Sequence, residues 1–149
     1  MIKQFLQWIG LKEKLHQAEH VPPLFKEHEI WWCSIGENIG NEVNGNGTRF
    51  TRPVFILKKY DAYSFFGLPL TTKEKEGSWY VHMRFKEKNQ TVVLMQGRVL
   101  DYRRLKEKMG EVEAGDSLRI REAFLALHAE SINNRPLTVA SEGRGLPQI

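Results

Sequence analysis

Arg52-Pro53 stands at the predicted entry to a strand. Proline fixes its own φ and pushes the residue before it into an extended conformation, so Arg52 is held stiffly. An arginine held in this way offers a rigid fork of donors to a phosphate. On its own, a strand-edge arginine is more often simply solvated. Thr71 and Thr72 close another predicted strand, just after Pro69, and in isolation they read as turn residues. Between the first of these strands and the one before it lies the segment 36–48, GENIGNEVNGNGT, which carries Glu42. Asn44-Gly45 and Asn46-Gly47 are hairpin-turn dipeptides, because both residue types tolerate positive φ. The segment reads as a mobile connection or as a lid over a ligand groove. It has no GK[ST] ending and no spaced glycines, so it is neither a phosphate-cradling P-loop nor a dinucleotide site.

Other chemistries find little support. His16, His20, His28, His82 and His128 are scattered, without metal-ligand spacing on one helix, and a single cysteine cannot build a zinc site. No metal and no cofactor is therefore expected. Cys33 lies in an apolar run and reads as a small core residue. There is no GxSxG nucleophile elbow.

The elements that must position these residues are mostly short strands. Residues 1–17 read as a helix, with Ile2, Phe5, Leu6 and Ile9 spaced as one apolar stripe that Trp8, Leu11 and Leu15 widen. Its plain reading is a docking helix packed on the domain, and its sharper one an oligomer or partner contact. Pro22 and Pro23 end it. Strands are then expected at 29–35, 53–60, 63–71, 78–85 and 91–100, a spacing that suggests a small barrel. A short helix is expected over 101–108. A longer one, capped by Asp116 or Ser117, should run to about residue 131 with Ile120, Ala123, Phe124 and Leu127 as its stripe. The tail after Asn133 is rich in Gly and Pro and reads as loose. The organisation expected is thus a helical extension over 1–21, a barrel domain over 22–131 and a tail over 132–149.

A chain of 149 residues can bury one core without a disulfide or metal. Hydrophobic residues at 41% and charged residues at 27% argue against wholesale disorder. One cysteine permits no internal disulfide, and no apolar run approaches the roughly 18 residues of a membrane span, so the cytoplasm is expected. The net charge of +4 permits a nucleic-acid or acidic partner without requiring one.

Five blocks occur in order: Glu29-Ile30-Trp31-Trp32; Gly36 through Glu42; Arg52-Pro53-Val54 through Leu57; Pro69-Leu70-Thr71-Thr72; and Gln96-Gly97-Arg98 with Asp101 and Arg104-Leu105. Together they resemble the MazF/PemK toxins of bacterial toxin–antitoxin pairs over residues 27–128, and the leading helix with its Pro-Pro linker resembles an N-terminally extended branch. The resemblance implies an α+β, mainly β fold: a small SH3-like barrel of the PemK/CcdB type with a helix at each end. It implies a homodimer, a cognate antitoxin that fills an RNA groove, and metal-independent cleavage of single-stranded RNA. By position it implies catalytic roles for Arg52, Thr71 and the loop residue Glu42. Asn38, Asn46, Thr72, Lys73, Gln96 and Arg98 are the expected RNA contacts, with the Lys73–Gly77 loop and Trp79 beside them. Two positions depart from the pattern. His28 stands where a glycine usually precedes the first strand, and Met95 stands where some relatives carry an acid.

Metal-free RNA cleavage uses the substrate's own 2′-OH. It needs a base for that hydroxyl, a cation for the phosphorane and an acid for the leaving oxygen. The resemblance gives Arg52 the cation's part and Thr71 the orienting of the phosphate. Glu42 becomes either the base or a residue that positions Arg52. Two alternatives stay open: a toxin on the same barrel that binds DNA gyrase without cutting RNA, and an inert interaction module.

Overall fold

Continuous runs of apolar residues, Ile30–Cys33 and Pro53–Leu57, make Glu29–Ser34 and Thr51–Lys59 strands with both faces packed. In a computed structural model, which describes residues 3–133, they lie at the centre of a curled antiparallel sheet. The expected apolar position at Ile2 and the tail after Asn133 lie outside the described residues. Helix α1 spans Phe5–Gln17, and the strands follow as β1 (Glu29–Ser34), β2 (Thr51–Lys59), β3 (Ser64–Thr71), β4 (Tyr80–Phe85), β5 (Lys88–Val93), β6 (Arg98–Asp101) and β7 (Leu105–Glu111), before helix α2 (Ala114–Asn133). The hydrogen-bonded path runs β4-β5-β3-β2-β1-β7, and β6 joins the free edge of β3. Register shifts between β1 and β7 and between β2 and β3 bend the strands and tighten the twist. The result is a half-barrel with a helix at each end of the chain.

Two apolar layers fill the two faces. Phe55, Leu57, Leu68, Leu70, Val92 and Leu94 pack under α2, which contributes Ile120, Ala123, Phe124 and Leu127. On the opposite face Trp31, Cys33, Val54, Ile56 and Phe65 pack with Phe25, Leu100, Tyr102 and Leu105. Each such side chain, fully buried, contributes about 1.5–3 kcal/mol. The Cys33 thiol is wholly buried, and burial pushes its pKa well above the ordinary thiol value. It is a core residue, as its sequence context suggests.

Four expectations are corrected. The strand expected over 91–100 is two strands, broken by a single 3-10 turn at Leu94–Gln96. Residues 101–108 do not form a helix: a 3-10 turn at Tyr102–Arg104 leads straight into β7, whose pairing with β1 overrides the helix preference of its Leu, Lys, Glu and Met residues. Helix α2 begins at Ala114, so Asp116 lies inside its first turn rather than capping it, and Ser117 is buried against His28. The α1 stripe also fails to dock as expected. Trp8 is the helix's buried residue, while Phe5, Leu6 and Ile9 stay exposed.

Two buried polar contacts fix the start of β1. His28 adopts φ +76°, the left-handed conformation that explains a glycine preference at this place. It is held there by its N–H on the Ile56 carbonyl (3.0 Å), by its carbonyl accepting from Val112 N–H (2.8 Å), and by its Nδ1 against the Ser117 hydroxyl. Glu29 is buried and accepts from Lys26 N–H (2.7 Å), Trp31 Nε1–H (3.0 Å) and the Lys108 ammonium (2.5 Å). Burial alone would raise its pKa, but these donors outweigh burial and hold the carboxyl below its ordinary value.

His28→Ala should lower unfolding free energy by about 1–2 kcal/mol, since it loses the Ser117 contact and keeps the backbone strain. His28→Gly should lose less, because glycine relieves that strain. Urea midpoints decide; a glycine variant weaker than the alanine one sinks the strain argument. The Glu29 carboxyl, depressed in the folded state, adds stability above its unfolded value near 4.5, and that stability is lost as pH falls through the folded value. Unfolding titrations of Glu29→Gln should therefore show a shallower acid slope than wild type between pH 5 and 2, about the span over which a depressed carboxylate titrates.

Candidate active site

Strands β2 and β3 bring the two leading residues together. Val54 pairs with Pro69, and continuing that register by two residues sets Arg52 opposite Thr71. Both line a cleft of about 620 Å³, with Asn46, Thr72, Lys73 and Gln96 in the same wall. Arg52 Nε–H donates to the Asn44 carbonyl (2.6 Å) and an Nη1–H donates to the Leu70 carbonyl (3.1 Å). These two acceptors aim the guanidinium without neutralising it. Among the described residues no carboxylate pairs with Arg52. Burial lowers its pKa, yet a guanidinium stays charged at neutral pH. The Thr71 hydroxyl oxygen accepts from Lys73 N–H (3.2 Å), which leaves its own O–H to donate to a ligand.

The cleft is strongly one-signed. Lys73, Lys75 and Lys88 line it beside Arg52, and among the described residues no Asp, Glu or His does. Such a wall attracts polyanions and weakens in salt. Trp32 and Tyr80 supply aromatic surface. Trp31 and Trp32 face opposite sides as adjacent strand residues must, Trp31 into the core and Trp32 into the cleft. Trp79, expected near the groove, is half-exposed, and its neighbour Tyr80 takes the place in the wall.

The loop between β1 and β2 folds down over one side. Gln96, placed by the 3-10 turn, accepts from Val43 N–H (2.9 Å) and donates to the Asn41 carbonyl (2.8 Å). Val43 and Gln96 thereby form a partition between the cleft and a second cavity of about 510 Å³. Asn38, Glu42 and Arg98 line that second cavity. Asn38 is a loop organiser: its Nδ2 donates to the Val43 carbonyl (2.8 Å), and its own N–H donates to Asn44 Oδ1 (2.6 Å). Glu42 accepts from Ile39 N–H (2.8 Å) within the loop and makes no contact with Arg52.

The nine sequence-derived residues thus fall into two groups. Arg52, Thr71, Thr72, Lys73, Asn46 and Gln96 share the cleft; Asn38, Glu42 and Arg98 stand across the partition, which Gln96 borders on both sides. Lys88 and Gln90 of β5 were missed. Gln90 is nine-tenths buried in the cleft wall, and its Oε1 has no hydrogen-bond partner among the described residues. Both lie just past a two-residue hairpin turn, Lys86-Glu87, whose positive φ values carry no Gly or Asn signal in the sequence.

The profile of the PemK-like, MazF-like toxins of type II toxin–antitoxin systems matches residues 26–128. Among solved structures, the fold is similar to MazF from Deinococcus radiodurans, with a TM-score of 0.57 at 19% identity over 74% of this chain and 99% of that one. It is also similar to an endoribonuclease in complex with its cognate antitoxin from Mycobacterial species, with a TM-score of 0.52 at 16% identity over 74% and 96%. The Mycobacterium tuberculosis toxin MazF-mt6 gives a TM-score of 0.52 at 15% identity over 67% and 95%. No curated protein matches.

Gln96→Ala should release the loop. The Val43 amide should then exchange with solvent about tenfold faster or more, as expected when a local opening loses two hydrogen bonds. The Phe55 amide, in the core, should be unchanged. Hydrogen exchange read residue by residue decides, and an unaltered Val43 rate would show that the latch is ornamental.

Proposed function

This chain belongs to the PemK-like, MazF-like toxins of type II toxin–antitoxin systems, and from that premise we propose that it is an endoribonuclease that cuts single-stranded RNA without a metal. The observation that carries the reading is an unneutralised arginine opposite a threonine hydroxyl in a cation-lined cleft. A phosphodiester meets both needs of that arrangement. It brings the negative charge Arg52 lacks, and it offers an oxygen to the Thr71 hydroxyl.

In the mechanism, the 2′-oxygen of the substrate attacks the adjacent phosphorus and the bond to the 5′-oxygen breaks. The products are a 2′,3′-cyclic phosphate and a 5′-OH, the leaving 5′-oxygen taking its proton from solvent water in the open cleft. Arg52 stabilises the charge that develops on the phosphorane oxygens, aided by its preset aim. Thr71 orients the phosphate. Lys73, Thr72 and Asn46 hold the flanking backbone, and unstacked bases lie on Trp32 or Tyr80. Glu42 serves as the base for the 2′-OH only after residues 39–43 have moved, with Asn44 staying on Arg52, because in the closed loop its carboxylate caps Ile39 N–H. Opening the Gln96 latch admits RNA and frees Glu42 together. A cognate antitoxin occupying the same cleft, a homodimer and a cytoplasmic place of action complete this reading. Among the described residues no helix is long and apolar enough to cross a membrane.

One observation favours a second reading, a family member that binds without cutting: the cleft wall holds no carboxylate or imidazole. One assay separates the two. Purified protein incubated with an unstructured RNA in EDTA should yield fragments with cyclic phosphate ends and leave DNA supercoiling by gyrase unaffected. Arg52→Ala should cut on the order of 10²-fold more slowly or worse, as expected when a transition-state donor is lost. Intact RNA with wild-type protein favours the binding module. Cleavage by Arg52→Ala at the wild-type rate removes Arg52 from the mechanism.

A further inference from the structure

Helix α1 is attached in an unusual way. Its apolar stripe is left in water: Leu6 is 82% and Ile9 57% exposed. Near its start the helix is instead held by one aromatic anchor and a few polar ties on the mouth of the loop between β1 and β2, while near its other end the His16 carbonyl accepts from Arg103 Nη1–H (2.8 Å). The Trp8 indole lies over Gly36 so closely that any Cβ there would overlap its five- and six-membered rings. Its ring stands 5.6 Å from that of Phe50 and under the Arg104 guanidinium. Gly36 and Phe50 are the two ends of the loop, and both have left-handed backbones, at φ +93° and +51°. For a phenylalanine that conformation is strained and needs its surroundings to hold it. The Phe50 carbonyl accepts from the N–H groups of Ile35 and Gly36, its N–H donates to the Gly47 carbonyl (3.3 Å), and the Trp8 ring packs against its side chain.

The polar ties go further into the loop. The Lys3 ammonium donates to the Asn38 carbonyl (2.8 Å) and pairs with Glu37 (3.8 Å), and Gln4 N–H donates to Glu37 Oε2 (3.2 Å). Asn38 N–H donates to Asn44 Oδ1 (2.6 Å), and the Asn44 carbonyl accepts from Arg52 Nε–H (2.6 Å). An unbroken line of contacts therefore runs from Lys3, just ahead of α1, through the loop to the guanidinium, and Gly36 under the Trp8 ring joins it, its carbonyl accepting from Gly45 N–H (2.8 Å) beside Asn44.

We propose that α1 and the residues leading into it position Arg52: Trp8, through Gly36 and Gly45, and Lys3, through Asn38 and Asn44, set the loop carbonyl that aims the guanidinium into the cleft. The role of Arg52 rests on the nuclease reading above; the coupling of α1 to Arg52 does not. None of Trp8, Lys3, Asn38 or Asn44 lines up to touch the scissile phosphate in this scheme. Each acts through Arg52.

The test uses the full chain and two readouts. Trp8→Ala should speed exchange of the Arg52 Nε–H and of the Asn38 and Gly45 amides by about tenfold, with the Val81 amide of β4, away from the loop, unchanged. Lys3→Ala, a milder change that does not threaten folding, should act in the same direction. Trp8→Phe should restore wild-type exchange. In RNA cleavage, Trp8→Ala should lower kcat about tenfold with KM nearly unchanged, because substrate contacts survive while transition-state aim is lost. In an Arg52→Ala background the same change should have no further effect on rate. Unchanged Arg52 Nε–H exchange in both Trp8→Ala and Lys3→Ala overturns the proposal. So does faster exchange with a normal kcat, or a raised KM at normal kcat, which would make α1 an RNA contact. If wild-type protein cuts no RNA, the nuclease reading fails and the exchange measurements alone decide the coupling.

Discussion

A guanidinium drawn half out of water must find acceptors for its N–H groups, and Arg52 finds two backbone carbonyls and no counter-charge. Most of the architecture can be traced from that demand. One carbonyl belongs to Leu70, so β2 and β3 must be in register. The other belongs to Asn44, so the loop before β2 must close to a defined position. The charge left over has to be met from outside the molecule. A carboxylate in the wall would relieve Arg52 and at the same time spoil the cleft for an anionic ligand.

The residues that answer this demand were readable early because each depends on local geometry. Proline after Arg52 stiffens a strand entry, and Pro69 marks the approach to Thr71. The Gly/Asn loop announces positive φ, and Gly36, Gly40 and Gly47 adopt it, but of the two Asn-Gly dipeptides only Gly47 does: Asn44, Gly45 and Asn46 do not. The strand alternation of β1 and β2 separates Trp31 from Trp32 correctly. The stripe of α2 also packs as its spacing suggests.

Misread features share another cause: tertiary pairing overruled local preference. Residues 105–111 favour a helix and form β7 because β1 has an open edge to fill. Lys86-Glu87 makes a tight hairpin with two residues that avoid positive φ, since β4 and β5 gain six cross-strand pairs from it. That turn hid Lys88 and Gln90 from the sequence. Helix α1 misled in the opposite sense. Its stripe suggests a broad docking face, whereas the protein holds it by Trp8 at a loop mouth. Nothing in the sequence says that Glu42 would turn inward to cap Ile39, because a loop carboxylate has several N–H groups within reach.

Strand β3 changes partner along its length. Its first half pairs with β6 as far as Gly67 opposite Arg98, and its last two residues pair with β5 from Leu70 opposite Val92. Pro69 stands near the changeover, where a residue without an N–H leaves no donor stranded. The sheet is therefore forked, and the 3-10 turn that carries Gln96 spans the gap between its two branches. The width of the ligand cleft is set by the splay of that fork. That turn is tied at both ends: Leu94 is fully buried in the layer under α2, and Gln96 holds the loop, so one three-residue turn joins the core to the rim of the cleft.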